Sequence, residues 1–505
     1  MPGIPRPQTV APLSLTRLAA LLPAALTGAD VEVTGITHNS REVRPGDLYA
    51  ALAGANRHGA EFVAQVVEAG AAAVLTDEAG REAALAAGLP VLVADDPREV
   101  LGAAAAAVYG DPSDRLTMIG ITGTAGKTST AYLVESGLRA AGLTTGLIGT
   151  VETRLGDLVV PSVRTTPEAT DLQAMLAAAV ERGVTAVVME VSSHALAVGR
   201  VGGLRFAVGG YTNFGLDHLD FHKDVDDYFA AKAKLFDGRS RVEVLNHDDP
   251  ALVPLRKAGT VTYSANGDRS ATWWADDIRP SAFGQRFVAH GPDRTTVEAG
   301  VALPGRHNVA NALLALASLV ACGVDAQVAA GGIAACKGVP GRLEQVEAPG
   351  EILGVVDYAH KPDAIVAALA ALRELATGRG GGLICLIGAG GDRDKGKRPL
   401  MGAAAARGSD LVIVTDDNPR TEDPASVRAA VRAGAEEAGA AAKIIEVAGR
   451  RQAIGEAVRL AGPGDVIALL GKGHERGQEV DGEVLPFDDR IELAAALTAA
   501  AEGAS

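Results

Sequence analysis

Short aliphatic runs recur along the chain, and the most regular series lies in its last third. They occur at 353–356, 383–387, 411–414, 443–447 and 466–470. Helical patterns lie between several of them. Short buried runs that alternate with helices are typical of parallel strands covered on both faces. The last third is therefore predicted to be a Rossmann-like, doubly wound α/β domain.

A second series begins near the middle of the chain. The apolar run 116–121 is followed by small residues, and a helical pattern then runs from Lys127 to about Leu138. The run 186–189 predicts another buried strand, which ends in Glu190. A long alanine-rich helix is predicted to begin within 305–311. This pattern predicts a central P-loop-type domain with a mostly parallel sheet.

In the N-terminal part of the chain, apolar runs alternate less regularly with helical patterns. Apolar runs at 31–36, 48–51, 73–75 and 90–93, with helical patterns at 60–69 and 98–108, predict a small α/β domain. The stretch 13–27 is predicted to be an amphipathic helix rather than a signal peptide, because it is interrupted by Arg17 and Pro23 and has no basic leader. The predicted domains are 1–112, 113–342 and 343–505, with a Gly/Pro-punctuated hinge at 338–344.

Composition restricts the classes of partner. The 505 residues carry a formal charge of −15, which argues against nucleic acid or an anionic membrane surface as a partner. The chain contains no stretch of about 18 uncharged apolar residues, so no membrane span is expected. Three cysteines without metal-ligand spacing indicate core thiols in a reducing compartment. We expect a cytoplasmic protein and a monomer.

The glycine-rich turn after the run 116–121 is the strongest chemical motif. Gly123 and Gly126 let the backbone approach an anion, Lys127 can reach terminal phosphates, and the Thr128 hydroxyl can bind magnesium. The predicted nucleotide loop comprises Gly123, Thr124, Ala125, Gly126, Lys127, Thr128 and Ser129. Its context of strand, turn and helix favours nucleotide binding over a simple glycine turn.

Other polar residues follow predicted strands, where an open parallel sheet binds its ligands. Glu190 and Asn213 are expected to face the phosphate loop, Glu190 as a magnesium ligand or, alternatively, as a helix cap or ion-pair partner. Lys232 and Lys234 are two residues apart on a predicted helix, so at most one can face the site. Asn308 and Asn311 can contact a base or cap their helix.

Several motifs recur in the same order in a known family. They are Gly123-Thr-Ala-Gly-Lys-Thr128, Glu190-Val-Ser-Ser-His194, Asp217-His-Leu-Asp220, Ala231-Lys-Ala-Lys-Leu-Phe236, His307-Asn308, Gly341-Arg342, Asp357-Tyr-Ala-His360 and Asp417-Asn-Pro-Arg420. Together they resemble the motifs of the Mur ligases, the ATP-dependent amino-acid ligases of peptidoglycan synthesis. The resemblance covers nearly the whole chain.

Within that family the chain resembles the enzymes that add the third peptide residue. The resemblance implies an ADP-forming ligase that joins 2,6-diaminopimelate to UDP-N-acetylmuramoyl-L-alanyl-D-glutamate through an acyl phosphate. The meso and LL isomers carry the same charged ends, and we expect the meso isomer. A phosphotransferase, a non-catalytic nucleotide-binding scaffold and folylpolyglutamate synthetase are the alternatives.

The resemblance also implies the residues that bind each ligand. ATP, between the second and third domains, would be bound by the phosphate loop with Asn308, Arg342 and Asp357. The UDP substrate would be bound by His38, Ser40, Thr165, Thr166, Ser192 and Arg200, with 54–57 nearby. Mg2+ would be bound by Thr128, Glu190, His218 and a carbamylated Lys232, although Lys232 can instead be a plain cation that binds phosphate. The implied catalytic residues are Lys127, Glu190, His218 and Lys232.

The binding site for the incoming amino acid is assigned to the third domain. The resemblance implies a pocket formed by Arg393, Asp417, Asn418, Pro419, Arg420, Gly471 and Glu475. Diaminopimelate has a distal carboxylate and a distal ammonium, and Arg420 and Glu475 carry the matching charges. Lysine lacks that carboxylate and would leave Arg420 unpaired. In the alternative interpretation, Arg420 only braces its loop.

Overall fold

A computed structural model describes residues 4–503, which form both helices and strands. The chain divides into two units. The first runs to Trp274 and includes Gly291–Thr295 and Leu313–Gly332, and the second comprises Ala275–His290, Thr296–Ala312 and the chain from Ile333 onwards. The predicted limits at residues 112 and 342 stay predictions, and the outermost positions of the predicted domains, 1–3 and 504–505, lie outside the described residues.

The first unit begins with a small sheet and its helices. The strands are β1 Leu13–Ser14, β2 Ala24–Thr27, β3 Glu32–Val33, β4 Gly35–Thr37, β5 Asp47–Ala50, β6 Ala73–Thr76 and β7 Val91–Ala94, and the helices are α1 Leu15–Leu21, α2 Val63–Glu68, α3 Glu78–Ala86 and α4 Pro97–Val108. The sheet has the order β2-β7-β6-β5-β4 and is parallel apart from β2. The helix predicted over 13–27 is wrong outside Leu15–Leu21, because β1 pairs with β3 and Pro23 precedes a strand that pairs with β7.

A larger sheet follows in the same unit. Its strands are β8 Thr117–Thr122, β9 Thr145–Ile148, β10 Glu152–Leu155, β11 Leu158–Pro161, β12 Ala186–Glu190, β13 Phe206–Tyr211, β14 Ser240–Asn246 and β15 Val261–Ser264, and its helices are α5 Lys127–Ala140, α6 Ala169–Glu181, α7 Ser193–Ala197 and α8 Val225–Ala233. The order β11-β10-β9-β12-β8-β13-β14-β15 is parallel from β9 to β15. Because β12, β8 and β13 are neighbours, the residues that follow them meet at one edge.

The second unit carries the sheet predicted in the last third. The remaining elements of the chain are β16 Trp273–Ser281, β17 Gly284–His290, β18 Thr296–Val301, α9 Arg306–Ala321, α10 Ala326–Ala334, β19 Glu344–Val346, β20 Leu353–Asp357, α11 Pro362–Gly378, β21 Leu383–Ile387, α12 Lys397–Gly408, β22 Leu411–Val414, α13 Pro424–Glu437, β23 Lys443–Glu446, α14 Arg450–Leu460, β24 Val466–Leu470, β25 Gly477–Val480, β26 Glu483–Pro486 and α15 Asp489–Gly503. β16, α9 and α10 each include residues of both units.

The order of this last sheet confirms the predicted parallel architecture. The strands lie in the order β19-β20-β24-β21-β22-β23, and only β19 is antiparallel to its neighbour. Every residue of β20, β21 and β24 is buried, as expected for strands covered on both faces. The loops after β20, β24, β21 and β22 consequently lie along one edge of the sheet.

Candidate active site

A glycine-rich turn joins β8 to α5 at the carboxyl edge of the larger sheet. Gly123 and Gly126 have φ angles of 140° and 86°, a region that glycine adopts without steric cost. A Cβ at Gly123 would lie 1.8 Å from Oγ1 of Thr212, so only glycine fits there. The turn leads directly into the N-terminus of α5, where backbone N–H groups form an anion-binding site.

Asn213, which lies just beyond β13, holds the turn in shape. The backbone N–H of Thr124 donates to the Asn213 carbonyl at 2.8 Å. The Ala125 N–H donates to Oδ1 of Asn213, and Nδ2 donates to the Ala125 carbonyl, both at 3.1 Å. The prediction that Asn213 faces the phosphate loop is confirmed.

Two lysine side chains end on one carbonyl oxygen of this turn. Nζ of Lys127 donates to the Gly123 carbonyl at 2.7 Å, and Nζ of Lys232 donates to the same oxygen at 2.8 Å. Lys232 is only 1% exposed, and its amine lies 4.7 Å from the centroid of the Tyr228 ring. Lys234 is exposed, as the helical spacing predicted. Two ammonium charges that share one carbonyl would repel each other.

Glu190 ends β12 and is 1% exposed. Its Oε2 accepts hydrogen bonds from the hydroxyls of Thr128 at 3.0 Å and Thr150 at 3.1 Å, and its Oε1 accepts from the Thr150 N–H at 2.8 Å. The Thr150 hydroxyl also lies 3.0 Å from that of Thr165. A carboxylate and a hydroxyl side by side fit the oxygen preference of magnesium. Sequence analysis missed Thr150, although its position shortly after the buried strand β9 was a usable signal.

His218 lies in a cluster of rings beyond β13. Its Nε2 is 3.2 Å from the Asp217 carboxylate. Its ring centroid is 4.6 Å from that of His194 and 6.1 Å from that of Tyr228. The Lys232 amine lies over the same Tyr228 ring. The structure therefore brings His218 and Lys232 to a shared tyrosine.

The predicted metal ligands form an unusual set. Within residues 4–503, no group of three or more His, Cys, Asp or Glu side chains is placed to hold a metal ion. The predicted set contains only Glu190 and His218 of these types, and its other members are Thr128 and Lys232. Glu190 and the Thr128 hydroxyl offer adjacent oxygen ligands, and magnesium fills its other positions with waters and substrate phosphates.

A pocket of about 320 Å3 lies beyond β4 and β5. His38, Ser40, Gly54 and Arg57 line it, so the structure brings together the residues implied for the uridine end. His38 Nδ1 lies 3.0 Å from the Thr170 hydroxyl, and burial lowers the pKa of His38, which leaves the imidazole neutral near pH 7. The other lining residues are Asn39, Tyr49, Leu52, Ala53, Gly59, Phe62 and Arg98.

Arg200 and Thr166 connect this region to Glu190. Arg200 Nε donates to the Glu168 carboxylate at 2.9 Å. The Thr166 hydroxyl donates to the Glu190 carbonyl at 2.9 Å and accepts from the Ser192 N–H at 3.1 Å. Burial opposes ionisation of Glu168, but the positive groups around it, Arg200 foremost, together hold the pKa of Glu168 below its usual range. Glu168 was not identified from sequence, and a ligand anion would share Arg200 with it.

In the second unit, Asn308 lies near the start of α9. Its Nδ2 donates to the Pro304 carbonyl at 2.8 Å, and its Oδ1 accepts from Nδ2 of Asn311 at 3.0 Å. Both side chains are buried. These bonds shape the first turn of the helix, and a contact of Asn308 with a nucleotide stays a prediction.

Arg342 and Asp357 lie together in the same unit. The Arg342 guanidinium lies 4.5 Å from the centroid of the Tyr358 ring. Asp357, at the end of β20, accepts from the N–H groups of Leu343 and Ala359 at 2.7 Å. Burial raises the pKa of Asp357 despite the opposing Arg342 charge. The two predicted residues thus share one polar environment.

Arg420 ends the loop after β22 and is paired with the β25–β26 hairpin. Its Nε donates to Glu479 Oε2 at 2.9 Å, and its Nη1 donates to the Gly391 carbonyl at 2.8 Å. Its φ angle is 52°, which is uncommon for a residue with a side chain. Glu479 was missed because it lies 59 residues further along the chain.

Lys472 lies in the loop 471–475 and is completely buried. It contacts residues of this loop and of the loop 417–420. Its Nζ donates to Oδ1 of Asn418 at 3.0 Å, to Oε2 of Glu475 at 3.2 Å and to the Gly477 carbonyl at 2.6 Å. Nδ2 of Asn418 also donates to Oε2 of Glu475 at 2.9 Å. Sequence analysis included Asn418 and Glu475 but missed the lysine that holds them.

The remaining predicted pocket residues lie around the same loops. A Cβ at Gly390 would lie 2.9 Å from Nη1 of Arg420 and 3.7 Å from Cγ of Arg393. A Cβ at Gly471 would lie 2.5 Å from Oδ2 of Asp417. One edge of the sheet therefore carries Arg393, Asp417, Asn418, Pro419, Arg420, Gly471 and Glu475.

Comparison with protein families gives three matches along the chain. The Mur ligase family, catalytic domain, matches residues 32–109, the Mur ligase middle domain matches residues 121–319, and the Mur ligase, glutamate ligase domain, matches residues 341–473. The matches follow one another and cover most of the sequence.

Individual relatives agree with these matches. A UDP-N-acetylmuramoyl-L-alanyl-D-glutamate--2,6-diaminopimelate ligase of Streptomyces avermitilis is 51% identical, with 98% of each chain covered. The protein of the same name from Corynebacterium glutamicum is 48% identical, with 89% of each chain covered. A solved structure of a ligase of that name aligns with a TM-score of 0.70 at 30% identity, covering 97% of this chain and 99% of the other. Across residues 4–503, none of the helices combines the length and apolar character needed to cross a membrane.

Proposed function

The chain belongs to the Mur ligase family, and from this membership we propose a reaction and assign its parts to residues. The protein is an ATP-dependent, ADP-forming ligase that joins diaminopimelate to UDP-N-acetylmuramoyl-L-alanyl-D-glutamate in the synthesis of peptidoglycan precursors. ATP and nucleotide-linked precursors are cytoplasmic metabolites, so the reaction belongs in the cytoplasm. Of the isomers of diaminopimelate, the meso form is the proposed substrate.

One observation carries the choice of amino acid. An arginine fork and a carboxylate, Arg420 and Glu475, lie at one sheet edge and are linked through Asn418 and the hairpin. The far end of diaminopimelate carries a carboxylate and an ammonium, which need these two opposite partners. Lysine would leave the terminal nitrogens of Arg420 without the distal carboxylate, while Nε stays bonded to Glu479, and this unmet polar group is a basis for rejection.

The chemistry makes a poor acyl donor reactive. A carboxylate oxygen of the dipeptide attacks the γ-phosphorus of ATP, the bond to ADP breaks, and an acyl phosphate forms. The amine of diaminopimelate then attacks the acyl carbon, loses a proton, and phosphate leaves. Phosphoryl transfer needs positioning and charge neutralisation. The backbone of the phosphate loop and Lys127 provide both at the turn before α5.

Magnesium fits the residues around Glu190. Thr128 and Glu190 would hold one ion, and His218 with carbamylated Lys232 would hold a second. Bound there, magnesium would neutralise negative charge on the ATP phosphates. Without it, Glu190 already aligns the Thr128 hydroxyl at the start of α5 through a 3.0 Å hydrogen bond.

The shared carbonyl of Gly123 supports the carbamate. The Lys232 ammonium would lose one proton, and the neutral amine would form an N–C bond with carbon dioxide. Loss of a second proton would turn the former cation next to Lys127 into a carbamate anion. Two like charges would thereby be replaced by an attractive pair. Protein equilibrated with 13C-bicarbonate should show a carbamate carbon by NMR that is lost in Lys232→Ala and retained in Lys234→Ala, the exposed control. A spectrum without that signal in the wild type argues for a plain lysine.

The other ligands are assigned by family resemblance. The uridine end of the substrate binds in the pocket at His38 and Ser40, and the muramoyl peptide binds along Thr165, Thr166, Ser192 and Arg200. Asn308, Arg342 and Asp357 contact ATP. Arg342→Ala should lower kcat more than it weakens nucleotide binding, and an equal loss in both would indicate a simple binding role.

Phosphate release from ATP tests the whole proposal. With the UDP-muramoyl dipeptide present, release should depend on the amine and should be much faster with diaminopimelate than with lysine. Arg420→Ala should lose most of this discrimination. A phosphotransferase, the alternative class, would form a phosphorylated product without any amine. Equal use of lysine by the wild-type enzyme would refute the assigned substrate.

A further inference from the structure

Arg420 is held in an unfavourable backbone conformation by the β25–β26 hairpin. Its φ of 52° is a region that residues with a side chain rarely adopt unless their surroundings fix it. The Arg420 N–H donates to the Glu479 carbonyl at 3.0 Å, and the Asp481 N–H donates to the Arg420 carbonyl at 2.8 Å. The hairpin therefore fixes the backbone position from which the Arg420 side chain extends.

Further bonds attach the same strand to the residues before Arg420. The Glu479 N–H donates to Oδ1 of Asn418 at 3.0 Å. Nε2 of Gln478 donates to the Asp417 carbonyl at 2.6 Å. β25 is thus hydrogen-bonded to Asp417, Asn418 and Arg420 of this loop. The hairpin is a support for this loop rather than a separate surface feature.

The side chain of Glu479 orients the guanidinium itself. A guanidinium has one N–H on Nε and the rest on Nη1 and Nη2. Glu479 takes the Nε–H, and the Gly391 carbonyl takes one N–H of Nη1. Every N–H donor that remains for a ligand therefore belongs to the terminal nitrogens.

We propose that Glu479 is a positioning residue for amino-acid recognition. By holding Nε of Arg420, it directs Nη1 and Nη2 towards the distal carboxylate of the incoming amino acid. This inference rests on the proposed function, because it takes Arg420 as the partner of that carboxylate. In this role Glu479 acts through Arg420 and not by contact with the substrate.

This role differs from that of a stabilising ion pair. The Glu479 side chain is 40% exposed, and ion pairs at such positions contribute little to stability. Loss of Glu479 should therefore leave the melting temperature unchanged while it affects binding of the amino acid. A merely structural contact would show the opposite pattern.

The test measures kcat and KM for diaminopimelate with saturating ATP and UDP-muramoyl dipeptide in the full-length enzyme. Glu479→Ala should raise KM about tenfold, equivalent to roughly 1.4 kcal/mol, and should change kcat less than about twofold. Glu479→Gln, which keeps an oxygen acceptor for the Nε–H, should restore a KM close to that of the wild type. Glu483→Ala removes an exposed carboxylate from the same hairpin and is the matched control.

A double variant that also replaces Arg420 gives a second readout of the same effect on KM. If Glu479 acts only through Arg420, the double variant Glu479→Ala/Arg420→Ala should have the same KM as Arg420→Ala. A lower KM in Glu479→Ala would overturn the inference, because Glu479 would then compete with the substrate carboxylate. An equal rise in Glu483→Ala would also overturn it. If the wild type shows no turnover that depends on diaminopimelate, the proposed function itself is refuted.

Discussion

The ion pair between Arg450 and Asp489 is completely buried in the second unit, and the adjacent Arg451 forms an exposed counterpart. Nε and Nη2 of Arg450 donate to the Asp489 carboxylate at 2.7 and 2.6 Å, with both side chains 0% exposed. Nη2 also donates to the Leu470 carbonyl at 3.1 Å. Arg451 makes the same two-pronged contact with Glu492, but these side chains are 66% and 18% exposed.

Asp489→Asn tests what this pair contributes to stability. Burial alone would lower the pKa of Arg450, but the charge and hydrogen bonds of Asp489, with the charges of Asp417 and Glu475, hold that pKa above its ordinary value. Asparagine keeps the volume but leaves a buried cation without its anion, which costs about 3–5 kcal/mol. Glu492→Gln breaks an exposed pair and should cost roughly 0–1 kcal/mol. At about 2–4 °C per kcal/mol for a unit of this size, Asp489→Asn should lower the melting temperature by roughly 6–20 °C.

The assay is thermal unfolding of the full chain followed by far-UV circular dichroism at pH 7.5, with urea unfolding as a second measure. The double variant Arg450→Met/Asp489→Asn should be more stable than Asp489→Asn alone, because it removes the unpaired cation. Equal losses in Asp489→Asn and Glu492→Gln would refute the reasoning. So would a double variant whose loss is the sum of the two single losses.

Three further changes test other parts of the structure. Burial and nearby carboxylates raise the pKa of Asp171 from 3.8 to about 6, so its stabilising contribution is full below pH 3.8 and is lost as pH rises through 6. Asp171→Asn should therefore gain up to about 3 kcal/mol at pH 8 and nothing at pH 3.5 in urea unfolding, and a gain independent of pH would contradict this. Gly123→Ala places a Cβ 1.8 Å from Oγ1 of Thr212 and should lower kcat at least about 100-fold with normal circular dichroism. Lys472→Met removes the donor that holds Glu475 and should raise the KM for diaminopimelate about tenfold, whereas an unchanged KM would assign Lys472 to folding alone.

The sequence by itself determined the strands of the parallel sheets and the phosphate loop. β21, β22 and β24 have the limits that their apolar runs predicted, because a strand covered on both faces must be apolar at every position. The turn from Gly123 to Lys127 was equally visible, since its glycines and the helix start are neighbours in the chain. The strand-end rule then placed Asn213 near this turn and grouped the loops that include Arg420.

Tertiary structure alone decided which side chains complete the candidate sites. Thr128 and Glu190 are 62 residues apart, Arg420 and Glu479 are 59 apart, and Lys472 reaches Asn418 across 54 residues. The error at 22–27 has the same origin, because pairing with β7 prevails over the local helical pattern. Hydrophobic periodicity and turn-forming residues give information only about residues that are close together in the sequence. The partner of a buried charge, by contrast, is set by strand order and by the need to satisfy that charge wherever the fold brings a matching group.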